Sequence, residues 1–119
     1  MINFTTYFDK NYIHKFFTLY ESLNTYCKNF KLYAFLLDDT EINKEYLNKK
    51  NLIFIKLSNL EKFYPELYYA KKNRSKVEYY FTLTPFICKY VFENYKIDHI
   101  TYLDSDLYFF NDPTNLYQE

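Results

Sequence analysis

Glycine is missing from the 119-residue sequence. Its absence excludes the Gly-x-Gly-x-x-Gly turn and the phosphate-cradling P-loop, which both bring backbone against phosphate where a Cβ would clash. Tryptophan is also absent, and Arg74 is the single arginine. Cys27, Cys88, His14 and His99 are too few for a zinc-finger set or a disulfide framework, so a reduced, cytoplasmic chain is expected. Neither sign of charge is in surplus: 15 basic and 15 acidic side chains cancel. A sequence-independent nucleic-acid binder needs a basic excess to displace counterions, and no such partner is expected. Nothing approaches the ~20 consecutive apolar residues of a membrane span, so no transmembrane segment is expected. The opening MINFTTYFDK lacks the basic n-region and unbroken apolar h-region of a secretory signal.

What the chain has in quantity is aromatic residues, 24% of the total, together with lysine and asparagine. An AT-rich genome produces this bias, so a tyrosine by itself says little about function. Arg74 escapes the bias and carries more weight. The length suits one domain large enough to bury a core.

Periodicity alternates between strand-like and helical. Ile2–Phe8 reads as a strand. Asp9 or Asn11 can cap a helix over Tyr12–Tyr26, with Ile13, Phe16, Phe17, Tyr20 and Leu23 on one face. Lys31–Leu37 and Leu52–Ile55 are apolar runs of the kind buried on both sheet faces. Between them, Asp38-Asp39-Thr40 can start a short helix reaching Lys49. Ser58-x-x-Glu61 and Ser75-x-x-Glu78 both fit the capping box. The first opens a short helix interrupted near Pro65, and the second a longer one toward Asn94, with Pro85 as a kink or restart. Ile97–Leu103 is a fourth strand. After it come Asp104-Ser105-Asp106, the segment Leu107–Phe110, and a last turn capped by Asp112 with Pro113 at its first position. This order predicts an α/β domain with a mainly parallel sheet flanked by helices. Ligands of such sheets bind beyond the carboxyl ends of the strands. Polar residues stand at three of those ends: Thr6–Asp9, Asp38-Asp39 and Asp104–Asp106.

The strongest local signal is Tyr102-Leu103-Asp104-Ser105-Asp106. On an extended chain, carboxylates two residues apart face one side, ~6.6 Å apart, and can approach one hard cation while leaving positions for phosphate oxygens. The same pair can also serve only to solvate a strand end or cap a turn. His14 and His99 read as structural, and Cys88 as a small buried hydrophobe.

Taken with Thr5–Tyr12 at the first strand–helix junction, Arg74-Ser75 entering a helix and Thr82-Leu83-Thr84 inside it, this ending resembles a known family. The chain is similar, over nearly its whole length, to the amino-terminal half of GT-A-fold nucleotide-sugar glycosyltransferases of family 8, the glycogenin and lipopolysaccharide galactosyltransferase group. The resemblance implies a Rossmann-like GT-A fold with residues 1–119 as the donor-binding half. It also implies Mn²⁺ or Mg²⁺ held by Asp104 and Asp106 against the diphosphate of a nucleotide sugar, a UDP-sugar by the same likeness. Thr6, Tyr7 and Ser105 would line the nucleotide sugar. Tyr12 would stack on uracil, unless it is one more tyrosine of a tyrosine-rich chain. Arg74 would reach phosphate or sugar, unless it only ends the basic patch Lys71-Lys72-Asn73. Asp38 and Asp39 would touch ribose or act as a helix cap.

The chain departs from the family pattern at Pro85, where a lysine is usual; Lys89 lies one turn later. Family members also carry a second half that supplies the acceptor site and a histidine ligand. Nucleotide binding without sugar transfer by the chain alone is therefore the expectation, with a completing polypeptide or self-association at an exposed sheet edge. The alternative is a non-catalytic nucleotide-binding or interaction module. An Asp-nucleophile phosphatase is disfavoured by Asn11 after Phe8-Asp9-Lys10, and a nucleotidyltransferase by the absence of glycine.

Overall fold

Runs rich in aromatic and aliphatic side chains make three strands: β1, Ile2–Phe8; β2, Phe30–Leu36; and β3, Leu52–Lys56. A fourth, β4, is two residues long, Thr101–Tyr102. The computed structural model describes residues 1–114. Within them the helices are α1, Ile13–Tyr26, preceded by a 3-10 turn at Lys10–Tyr12; α2, Lys44–Leu47; α3, Leu57–Phe63; α4, Leu67–Asn73; and α5, Lys76–Asn94.

All strand pairs are parallel, in the order β3-β2-β1-β4. Ile2 pairs with Phe30 and Phe8 with Leu36, whereas β4 meets β1 only at Phe4–Thr101 and Thr5–Tyr102. Side chains alternate across this sheet. Phe4, Phe8, Leu32, Ala34 and Leu36 join Phe16, Leu19, Tyr20 and Leu23 of α1 in one core. Tyr33, Phe35 and Ile55 join Leu60, Leu67, Leu83, Ile87 and Val91 of α3–α5 in the other. α2 lies on the α1 side, where Tyr46 packs 4.1 Å from Phe17, ring centre to ring centre. The result is an α/β/α layering with an all-parallel sheet.

This winding has one reversal. The chain moves outward from β1 to β2 and β3 with α1 and α2 on one face. It then crosses through α3–α5 on the other face and sets β4 on the free side of β1. The crevice beyond the carboxyl ends of β1 and β4 is thus the topological switch point, where parallel sheets bind ligands.

Several local expectations need correction. Ser58 does not cap a helix: α3 begins at Leu57, directly from β3, with Lys56 as N-cap. Glu61 is instead drawn inward, where its Oε2 accepts from Tyr79 Oη at 2.6 Å and Lys71 Nζ at 3.2 Å. The second capping box is formed, with Ser75 Oγ accepting from the Glu78 amide and Glu78 Oε1 from the Ser75 amide. Asp38-Asp39-Thr40 starts no helix, and α2 begins only at Lys44. Helix α5 runs through Pro85 without a restart. β4 is far shorter than Ile97–Leu103: ahead of Thr101 the Asn3 amide of β1 donates to the His99 ring Nε2 at 3.4 Å and not to a backbone carbonyl. Cys88 is half-buried, and Cys27 is the buried thiol. Asp112 does accept from the Thr114 amide and hydroxyl, and the continuation of that last turn lies outside the described residues.

Candidate functional site

At the switch point lies a cleft of ≈ 560 Å³. Its floor comes from the end of β1 (Tyr7, Phe8, Asp9) and the residues after it, Asn11 and Tyr12. Across from these stand Tyr102 and the segment Asp104-Ser105-Asp106, and the remaining wall is the first turns of α5, with Lys76, Val77, Tyr80 and Phe81. The fold therefore gathers Tyr7, Tyr12, Asp104, Ser105 and Asp106 around one space.

Each part is fixed by local chemistry. Asp9 caps the 3-10 turn, with Oδ1 accepting from the Asn11 amide at 3.0 Å and its carbonyl from the Tyr12 amide at 3.0 Å. Tyr12 is left exposed, with Lys15 Nζ 5.0 Å from its ring centre. Asp104-Ser105-Asp106-Leu107 is a turn and not an extended strand end, closed by the Leu107 amide on the Asp104 carbonyl at 3.1 Å. The turn exposes both carboxylates to the cleft while Leu103 beneath is buried. Beyond it, the Phe109 amide donates to buried Ser22 Oγ at 3.0 Å, and the Phe109 ring packs 5.9 Å from Phe4. The turn is thereby anchored to α1 and the core.

Tyr7 and Tyr102 lie 5.8 Å apart, ring centre to ring centre. Burial, then the Tyr7 phenol and the Asp104 carboxylate, push the Tyr102 phenol well above its ordinary value. It remains a neutral donor beside Asp104. On the helical wall, burial raises the Tyr80 phenol, Lys76 opposes that, and Asp9 and Asp38 add to it.

Two expected residues do not line the cleft. The Thr6 side chain alternates to the α1 face, fully buried, and its Oγ1 is the one buried side-chain polar atom without a partner among the described residues. Arg74 is exposed, and its Nη1 donates to Thr82 Oγ1 at 2.9 Å. Asp38 bridges strand ends, accepting from the Lys10 amide at 3.0 Å and from the Thr40 amide and hydroxyl. Burial opposes its ionisation, but the Thr40 hydroxyl and these amides hold its carboxyl below the ordinary value. Asp38 and Asp39 line a second hollow of ≈ 460 Å³ with Glu61, Lys56 and Lys71, separated from the cleft by Leu37.

Lys76, Val77, Tyr80 and Phe81 do not stand out in the sequence as site residues. Their only local signal is the capping box, which fixes where α5 starts; which face meets the cleft depends on packing against β1 and β4.

The donors fit a hard divalent cation in part. Asp104 and Asp106 offer carboxylate oxygens to one cleft, the donor type that Mg²⁺ and Mn²⁺ prefer. Among the described residues no three His, Cys, Asp or Glu side chains group as a metal cage, so further ligands would have to come from phosphate or water. No helix among them is long and apolar enough to cross a membrane.

No family model and no solved structure matches the chain. It is 29% identical over 119 residues to the uncharacterized protein YfnD of Bacillus subtilis (strain 168). The match covers 98% of the chain but 38% of that protein, so the chain spans well under half the length of this relative.

Proposed function

We propose that the chain is the donor-binding part of a GT-A-type glycosyltransferase that binds a nucleotide sugar, a UDP-sugar, with Mn²⁺ or Mg²⁺ in the switch-point cleft. One observation carries the reading: the Asp104-Ser105-Asp106 turn shares that cleft with Tyr7, Asp9 and Tyr12 from the first strand–helix junction. The resemblance noted in the sequence joins the same two regions.

In this reading Asp104 and Asp106 hold the cation and Tyr12 offers its exposed ring to the base. Tyr102 stands as a neutral phenol beside Tyr7 and Asp104, and Ser105 offers a hydroxyl to the ligand. When bound, the cation supplies Lewis-acid stabilisation of the charge that develops on a departing nucleoside diphosphate. Transfer to an acceptor would need further polypeptide beside β4, which is the outer strand on that side of the sheet among the described residues.

A thermal-shift titration with UDP, with and without Mn²⁺ and with ADP as control, tests the reading. The midpoint is expected to rise only with UDP and Mn²⁺ together. Asp104→Asn and Asp106→Asn are each expected to abolish that rise and leave the ligand-free midpoint within about 2 °C, as for exposed substitutions. An unchanged rise in both variants would refute the assignment of the cation to this turn. A cooperative melt indifferent to every nucleotide would favour an interaction module instead.

A further inference from the structure

We infer that Lys76, and not Arg74, supplies the cationic side chain that contacts the diphosphate of the ligand in the switch-point cleft. The inference rests on the nucleotide-binding reading above and goes beyond it by assigning the anion contact.

Among the described residues lining the cleft Lys76 is the only base, and the acids are Asp9, Asp104 and Asp106. Despite those neighbours it joins no ion pair among the described residues. Its Nζ instead lies 5.8 Å from the centre of the Tyr80 ring, itself part of the cleft wall. The ring and phenol of Tyr80 steer the long side chain along the wall, and the ammonium keeps further donors for a ligand. Lys76 is also the first residue of the 19-residue α5, so its charge adds to the positive end of that helix.

Arg74 is placed differently. Its guanidinium is committed to Thr82 Oγ1, and it lies near enough to Glu78 to help hold that carboxyl below its ordinary value, after the larger effect of Ser75. Arg74 would have to give up these contacts to reach a ligand. Lys76 gives up only its contact with the ring and phenol of Tyr80.

Calorimetric titration of the full chain with UDP and with uridine, both at saturating Mn²⁺, tests this in wild type and in Lys76→Met, Lys76→Arg and Arg74→Met. Losing a charge-assisted contact to phosphate is expected to weaken UDP binding ~10–100-fold in Lys76→Met. Uridine affinity should be unchanged, which also shows that the variant is folded. Lys76→Arg should recover most of the loss, and Arg74→Met should lose less than Lys76→Met. The inference is overturned if Lys76→Met binds UDP within twofold of wild type, if it loses UDP and uridine alike, or if Arg74→Met is the more damaged. Binding abolished by Asp104→Asn but kept by Lys76→Met would overturn this inference alone. A wild type that binds no UDP with Mn²⁺ would overturn the reading beneath it as well.

Discussion

Thr6→Val tests the strand register and the boundary of the site together. Thr6 lies in the middle of β1, opposite Ala34, with no measurable exposure and an Oγ1 that meets no partner. A buried hydroxyl without a partner costs ~1–3 kcal/mol. Valine replaces that hydroxyl by a methyl of similar size and keeps the β-branch that suits a strand. The variant should therefore be more stable than wild type, by ~1–2 kcal/mol, once imperfect packing of the new methyl is allowed for. For a chain of this length ~1 kcal/mol corresponds to about 4 °C, so the midpoint should rise by about 4–8 °C. Urea unfolding should show a higher midpoint concentration at unchanged slope. Because the side chain faces α1 and not the cleft, the UDP and Mn²⁺ shift should survive intact. A lower melting temperature would show that the hydroxyl is satisfied and the β1 facing misassigned. A stable variant that no longer responds to UDP would return Thr6 to the site.

Other expectations follow from single contacts. Tyr79→Phe removes the hydroxyl that donates to buried Glu61; losing a hydrogen bond to a charged group should cost ~1.5–3 kcal/mol, read from urea unfolding. Ser22→Ala strips the Phe109 amide of its acceptor; it should cost ~1 kcal/mol and weaken Mn²⁺-dependent UDP binding by loosening the segment behind the Asp104 turn, measured on the same sample. The folded-state pKa of Asp38 lies below its ordinary 3.8. Its stabilising contribution is therefore fully present above about pH 4 and is lost as pH falls through the folded value. Asp38→Asn should flatten the acid limb of the stability profile in that window while lowering stability at pH 7, and an unchanged limb would refute the bridging role.

The sequence announced those parts of the fold whose partners are close or whose burial is total. The apolar runs of β1–β3 and the face of α1 are legible because they are buried whatever covers them. The Ser75–Glu78 box is legible because both of its bonds close within four residues. Ser58-x-x-Glu61 has the same pattern and fails, because Glu61 finds better partners in Lys71 and Tyr79 farther along the chain. Asp38 reads as a helix cap but is captured by the Lys10 amide, a partner that only strand pairing brings near. At the site, the Asp104–Asp106 carboxylates stand out locally, although their turn does not. Arg74 stands out by rarity, and rarity carries no geometry; Lys76, two residues on, is common in type and distinguished only by where α5 is laid against the sheet.

The pairing of β1 with β4 joins the first strand to the last one among the described residues, some hundred positions along the chain. In folding terms it closes the longest loop of the sheet, later than the β1–β2–β3 ladder whose partners are nearer in sequence. A nascent chain can therefore hold three strands and α1 before either wall of the cleft meets the other. Closure of the cleft marks completion of the fold, which helix content alone does not report. The two-residue β4 ladder gives little backbone resistance to reopening. A destabilised variant would thus lose the switch-point cleft before its two hydrophobic cores.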